Sequence, residues 1–184
     1  YLLTPDDWED VGMRTGLRQE YNFSVSAANE KSSFYVSLGY LGNEGITEGS
    51  DLKRLTGRLK ADYQAKKWLK IGGNMGYARF DSNSLSNNGT SSSTGNIWAF
   101  VTQMAPIYPA YVRNADGSIM VDKNGIGMMD YGSGINAGMQ RPFIADANPI
   151  LDNKLNTRNS EGNAINGNAF VDITPIEGLK VTFN

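Results

Sequence analysis

Between Tyr21 and Arg79 apolar and polar residues alternate in four long runs. Tyr21, Phe23, Val25 and Ala27 fall on one side of an extended chain, and Asn22, Ser24 and Ser26 on the other. Phe34, Val36, Leu38 and Tyr40 repeat the pattern. So do Leu55, Gly57, Leu59, Ala61 and Tyr63, and then Leu69, Ile71, Met75 and Tyr77. Side chains alternate across a strand, so a period of two predicts strands with one apolar and one polar face. The predicted strands cover residues 19–28, 33–41, 52–65 and 68–80. Most run to about 9–13 residues, against the five or six usual in globular proteins, which is long enough to cross a bilayer at a tilt. Alternation resumes near Asn163 with Ile165, Ala169, Val171 and Ile173, turns at Thr174–Gly178, and continues from Leu179 to Asn184.

Turn lengths alternate as well. The connections Asn29–Ser32, Lys66–Lys67 and Thr174–Gly178 are short, Gly42–Ser50 is longer, and the fourth runs from Asp81 to about Arg158. Short periplasmic turns and long external loops give a membrane barrel this asymmetry. The expected fold is all-β: a segment of a large antiparallel transmembrane β-barrel, about six strands, with a long extracellular loop containing a short helix. Residues 1–18 read as the end of an extracellular loop, 19–80 as four strands, 81–160 as the long loop, and 161–184 as two further strands, the last truncated. The chain starts at Tyr1 and stops at Asn184 within a strand pattern, so it is expected to be a piece of something larger.

Within the long loop, residues 82–95 approach low complexity. Ile97–Met104 predicts a short helix, capped by Thr94 or Asn96 and closed before Pro106. Ala110–Val121 predicts a hairpin turning at Asn114-Ala115-Asp116-Gly117. The first eighteen residues read as irregular or partly helical, with Thr4-Pro5-Asp6-Asp7 as a helix start.

Composition removes several classes of chemistry. The chain has no Cys and no His, which excludes thiolate sites, Ser-His-Asp catalysis and the commonest metal ligand. A net charge of -2 and a pI near 5.2 give no case for nucleic-acid binding. Asp122-Lys123-Asn124-Gly125-Ile126-Gly127 with Asp130 lacks the spacing of a twelve-residue calcium loop and reads as a Gly-bearing turn. Acid pairs such as Asp6/Asp7 and Glu44/Glu48 form no glycosidase dyad. No catalytic residue, metal or cofactor is expected, and the chain is not read as an enzyme.

Three sets of residues remain. Arg54, Thr56, Arg58, Lys60, Asp62 and Gln64 share the polar face of the third strand, where they would line a lumen or grip a plug. Tyr21, Tyr40, Tyr63, Trp68, Tyr77 and Phe80 stand near strand ends, where aromatic girdles meet the membrane interface. Trp98, Phe100, Tyr108, Tyr111 and Tyr131, with Arg113 and Arg141, form a loop set suited to stacking on a ligand, to contacting a partner, or to packing the loop itself.

An ordered series of short motifs carries a resemblance. It comprises Asp7-Trp8, Arg14-Thr15-Gly16, Tyr21-Asn22-Phe23-Ser24-Val25-Ser26, Glu30-Lys31-Ser32 and Tyr35-Val36-Ser37-Leu38-Gly39-Tyr40. It continues with Glu44-Gly45-Ile46, Gly49-Ser50-Asp51-Leu52-Lys53-Arg54, Thr56-Gly57-Arg58-Leu59, Trp68-Leu69-Lys70 and Pro106-Ile107-Tyr108-Pro109. In this order they resemble the SusC/RagA group of TonB-dependent outer-membrane transporters. The resemblance implies a many-stranded barrel in the outer membrane of a Gram-negative bacterium, with an N-terminal plug, energised by the TonB complex. It implies import of an oligosaccharide or peptide substrate beneath a SusD-like lipoprotein lid, with outer-membrane lipid around the wall. The residues alone leave two other readings open: a soluble β-sandwich that binds carbohydrate, and a passive porin-type barrel.

Overall fold

The computed structural model describes residues 5–85, 96–134, 140–156 and 158–184. Its elements in order are α1 (Trp8–Gly12), β1 (Arg18–Ala28), β2 (Ser32–Glu44), β3 (Asp51–Lys66), β4 (Leu69–Ser84), α2 (Ile97–Gln103), α3 (Pro149–Leu155), β5 (Arg158–Ile176) and β6 (Leu179–Phe183). The chain divides into two compact units.

One unit is the sheet, formed by residues 17–44, 51–83 and 159–184. Its six strands lie in sequence order, β1-β2-β3-β4-β5-β6. β1 to β4 pair antiparallel in succession, as do β5 and β6. Register carries the period-two pattern across the strands. Val25 stands opposite Val36, Val36 opposite Leu59, and Leu59 opposite Met75. The next row is Phe23, Leu38, Gly57 and Tyr77, and beyond it come Tyr21, Tyr40 and Leu55. A one-residue slip would exchange the two faces of any strand, so this alignment holds every apolar set on one side. Tyr21 and Tyr40 stack across β1 and β2 with ring centroids 6.4 Å apart.

Among the described residues of the sheet unit, no second layer packs on that apolar side. Phe23 is 64% exposed, Leu38 55% and Met75 53%. A β-sandwich buries such a face against a second sheet. Here all six strands belong to one sheet, which removes the sandwich reading. An uncovered apolar face opposite a polar one is the arrangement a membrane β-barrel wall presents. β3 and β4 each have 16 residues, about 50 Å at the usual rise, whereas crossing the hydrocarbon takes about 9–11 tilted residues.

Strand bounds differ from the sequence reading mainly at the ends facing the longer connections. β2 runs on to Glu44 and β4 to Ser84, and β5 begins at Arg158 rather than near Asn163. These extensions are polar on both faces (Asn43, Glu44, Asp81–Ser84, Asn159, Ser160), so periodicity could not reveal them. Thr174, Pro175 and Ile176 lie in β5, leaving only Glu177–Gly178 as the turn. Register also corrects one aromatic. Phe80 stands opposite Arg54, on the polar face, and does not join the outward girdle. Arg79 lies on the outward face instead, 3.5 Å from Glu161, so the apolar surface ends there in an ion pair.

The second unit comprises the described parts of residues 1–16, 45–50 and 84–158. It has its own core, built from Trp8, Ile97, Phe100, Val101, Met104, Ala110, Met129 and Ile150. Trp8 meets Phe100 edge to face at 5.1 Å. Each helix opens on a side-chain cap that satisfies free N–H groups. Asp7 accepts from Glu9 N at 2.9 Å, Asn96 from Ala99 N at 3.3 Å, and Asn148 from Leu151 N at 3.1 Å. Of the two caps expected for α2, Asn96 is the one used; Thr94 and most of the low-complexity run lie outside the described residues, as does Thr4. Helix α3 was not legible in the sequence, because its two turns are too short to display a helical period.

The predicted hairpin at 110–121 is part of a three-limbed ring. Met120 N donates to Val112 O, Met128 N to Met120 O, and Val112 N to Met128 O, each at 2.8 Å. These residues are spaced eight apart, so each limb pairs with both others and the backbone closes on itself. Two turns join the limbs, at Asn114–Gly117 and Asp122–Gly125. The Asp116 carboxylate accepts from Ser118 Oγ and Ser118 N, and Asp122 from Ile126 N and Asn124 N. These bonds to the ionised form hold both carboxyls below the usual aspartate range, Asp116 chiefly through the Ser118 hydroxyl and Asp122 chiefly through the Ile126 amide.

Two outcomes follow from this architecture. Leu59→Arg puts a charge on the lipid face and should cost about 2–4 kcal/mol near the midplane, whereas Ser24→Arg, in the neighbouring row of the opposite face, should leave assembly intact. The heat-modifiable band of the whole receptor on a denaturing gel reports both; equal loss from both variants would reject the register. Because the Asp116 and Asp122 pKa values are depressed, their contribution is full above the unfolded aspartate value of 3.8 and fades as pH falls through the folded values. The protection factors of the Gly117 and Gly125 amides, which remove the intrinsic pH dependence of exchange, should therefore fall below about pH 4 and change little between pH 6 and 8.

Candidate functional site: the polar wall face and the aromatic loop unit

The polar face of the sheet sorts its charges by position. Toward the short turns they pair with one another. Asp62 accepts from the Ser33 hydroxyl and stands 2.8 Å from Lys70 Nζ. Asp172 stands 2.8 Å from Lys180 Nζ and accepts from Thr182 Oγ1 at 2.7 Å. Phe170 covers Gly72 in the same region; a Cβ on that glycine would lie 2.6 Å from the ring.

Further along the face the cations stand apart. Register places Arg54 between Leu41 and Phe80, Arg58 between Ser37 and Gly76, and Lys60 between Tyr35 and Asn74. Among the described residues, none of these three cations lies within ion-pairing distance of a carboxylate. The acid on β1, Glu20, is bound by Arg18 at 3.0 Å and by the Asn22 amide at 3.2 Å. Thr56 donates to the Gly39 carbonyl at 3.4 Å, and Gln64 to the Lys66 carbonyl at 2.7 Å. The polar face therefore presents a cationic strip next to a self-neutralised end. Of the girdle set, Tyr21, Tyr40, Tyr63 and Tyr77 stand on the outward face by register. Trp68 lies in the β3–β4 turn, with Lys66 Nζ 5.4 Å from its ring centroid.

In the loop unit the aromatic set separates into packed and presented members. Trp98, on α2, is 59% exposed, whereas Phe100 on the same helix is fully buried. Tyr108 is half-buried: its carbonyl accepts from Trp8 Nε1 at 2.8 Å, and its ring meets Phe143 edge to face at 5.6 Å. Tyr111 bridges to Met129 in the three-limbed ring. The Tyr131 hydroxyl donates to Asp152 at 2.9 Å; burial first, then this carboxylate, push its pKa up to about 12.

The two loop arginines hold the unit together. Arg113 Nη2 binds Asp6 Oδ1 at 2.6 Å, and its Nη1 donates to the Gly117 carbonyl at 3.0 Å. The other Asp6 oxygen accepts from Ala110 N at 2.7 Å, so Asp6 anchors the ring at its base. Arg141 is buried between the rings of Trp8 and Phe100, 5.9 and 5.7 Å from their centroids, and donates to the Ala147 carbonyl at 2.9 Å. Gly132 packs against this guanidinium with φ of 77°, where glycine has no steric penalty. Phe100 and Arg141 are thus closed off from any outside ligand. Sequence reasoning overlooked Trp8 as a core anchor and the fully buried Asn148, whose side chain caps α3 and donates to the Asp130 carbonyl at 3.0 Å. Residues that meet only through tertiary structure leave no local signal. Among the described residues, no cluster of three or more acids takes a metal-binding arrangement, and no helix is long and apolar enough to cross a membrane.

No family model matches the chain. Curated relatives do. One TonB-dependent receptor of Formosa agariphila is 27% identical over 173 residues, covering 94% of this chain and 15% of the receptor. Another from the same organism is 36% identical over 69 residues, 38% of this chain and 7% of the receptor. The chain therefore spans a small part of the relatives it matches. Among solved structures, the RagAB peptide importer in its closed-closed state aligns over 97% of this chain with a TM-score of 0.69 and 26% identity, using 18% of its own chain. A second RagAB peptide transporter structure aligns equally well. With the segregated faces and sequential antiparallel strands, these matches make the chain similar to a stretch of the β-barrel of TonB-dependent receptors and of the RagAB importer, in line with the SusC/RagA resemblance carried by its motifs.

Proposed function

We propose that this chain forms part of the wall and loop structure of a TonB-dependent importer in the outer membrane of a Gram-negative bacterium. The observation that carries the reading is the sheet itself: one uncovered apolar face, one charged face, and an alignment to RagAB that includes nearly the whole chain. The cargo is a peptide or an oligosaccharide, with peptide favoured because the aligned RagAB is a peptide importer. A SusD-like lipoprotein closes the mouth, and the TonB complex acts through parts of the protein outside these residues. In this reading Arg54, Arg58 and Lys60 face the lumen or plug as an anion-attracting strip, and Asp62 belongs to the neutralised end. Tyr40, Tyr63, Trp68 and Tyr77 face the membrane interfaces. Of the loop residues, Trp98 is the one presented for contact with lid or cargo, while Tyr108, Tyr111 and Arg113 hold the surface that presents it.

Uptake by cells carrying the whole receptor tests the reading. Labelled oligopeptide or labelled oligosaccharide should enter only when TonB is functional. Entry unaffected by loss of TonB would favour a passive pore, and a receptor missing from the outer-membrane fraction would end the importer reading. Trp98→Ala should leave receptor levels unchanged and reduce co-purification of the lid lipoprotein or uptake several-fold, as truncation of an exposed aromatic anchor does. Full retention of both would return Trp98 to ordinary surface.

A further inference from the structure

Large side chains cover most of the apolar wall face, but one patch is bare. Ala61 stands opposite Gly73 in the β3–β4 register. β5 brings the Ala169 methyl group to 3.7 Å from the place a Cβ on Gly73 would occupy. Phe34, Tyr63, Ile71 and Val171 stand around this floor and outline a shallow groove of about 700 Å³. A Cβ on Gly73 would also come within 2.9 Å of the Asn168 carbonyl oxygen. Close backbone packing therefore keeps the middle of the groove empty.

The groove runs toward a cationic cap. The β3–β4 turn lies at its short-turn end, with Lys66 five residues beyond Ala61, about 17 Å along the strand. Residues 66–68 supply two lysines, a tryptophan and no carboxylate. Lys66 lies over the Trp68 ring, and such side chains rest apolar stems against hydrocarbon while keeping the charge in the polar zone. The nearby acids are engaged elsewhere: Asp62 with Lys70 and Asp172 with Lys180, both on the opposite face. Glu30 and Glu177 belong to the flanking turns, not to this one.

An apolar slot leading to paired cations matches one kind of amphiphile. We propose that the groove seats one acyl chain of an acidic phospholipid, with Lys66 and Lys67 holding its phosphate. The inference rests on placing the wall in the outer membrane. A free phosphate would leave the groove unexplained, and a zwitterionic lipid would leave the lysine pair without net charge to meet.

Native mass spectrometry of the whole receptor, extracted in mild detergent and exposed to phosphatidylglycerol or phosphatidylethanolamine with identical acyl chains, tests it. The receptor should retain phosphatidylglycerol preferentially. Lys66→Gln and Lys67→Gln should each weaken that retention about fivefold. Ala61→Leu combined with Ala169→Leu fills the groove with apolar side chains and should abolish retention of both lipids. Equal retention of the two lipids, or undiminished phosphatidylglycerol in the lysine variants, would overturn the proposal. If the leucine variant fails to assemble, the lysine variants decide alone. A heat-modifiable outer-membrane receptor without lipid preference would reject only the lipid seat, whereas a receptor absent from that membrane would reject the reading beneath it.

Discussion

Every backbone polar group of a membrane-crossing strand must find its partner within the protein, because hydrocarbon offers none. That constraint organises the sheet. Antiparallel ladders pair the N–H and C=O groups that face one another between neighbouring strands from β1 to β6, and side chains are then free to divide by face. Register does the rest: Val25, Val36, Leu59 and Met75 align because the ladder holds each strand in phase with its neighbour. The stability of this unit cannot come from a core, since its large apolar residues are exposed to the outside. It comes from the ladders and from the neutralised cluster on the polar face.

The loop unit meets the opposite demand. Its segments are rich in Ser, Asn and Gly, and two of its helices have only seven residues, too short to persist alone. Packing supplies what propensity lacks. Trp8, Phe100 and Ile150 provide the apolar area, while Asp7, Asn96 and Asn148 satisfy the helix starts. The three-limbed ring solves backbone pairing without a sheet, each limb donating to the next. Arg141 shows how far the core depends on mixed chemistry: a buried cation sits against two aromatic rings, and burial pulls its pKa down even as Asp130 and Asp146 oppose the change.

The division between what the sequence revealed and what it hid follows these two physical regimes. The strands were legible because one apolar and one polar face impose a strict period of two on Tyr21–Ala27 or Leu55–Tyr63. Where strands are polar on both faces, as at Asp81–Ser84 and Arg158–Ser160, the contrast disappears and so did the signal. α2 was legible through its apolar run and Pro106. α3 was hidden, and so was the pairing of Arg113 with Asp6, 107 positions apart. Phe80 illustrates a subtler limit: an aromatic near a strand end suits a girdle by composition, but parity with Arg54 decides its face.

Charge placement on the polar face points to a division of labour along the strands. Asp62, Lys70, Asp172 and Lys180 are mutually satisfied, so this end has little to gain from a charged partner and rigidifies the short-turn rim. Among the described residues, Arg54, Arg58 and Lys60 make no direct ion pair and stand beside amides and small residues such as Asn74, Ser37 and Gly76. Cations in a confined, polar enclosure strengthen the field felt by an anion entering it, and guanidinium groups bind carboxylates in a two-pronged geometry. One residue of register keeps that strip off the apolar face, so in the proposed importer the fidelity of the hydrogen-bond ladder would separate a polar interior from a wall that fails to insert.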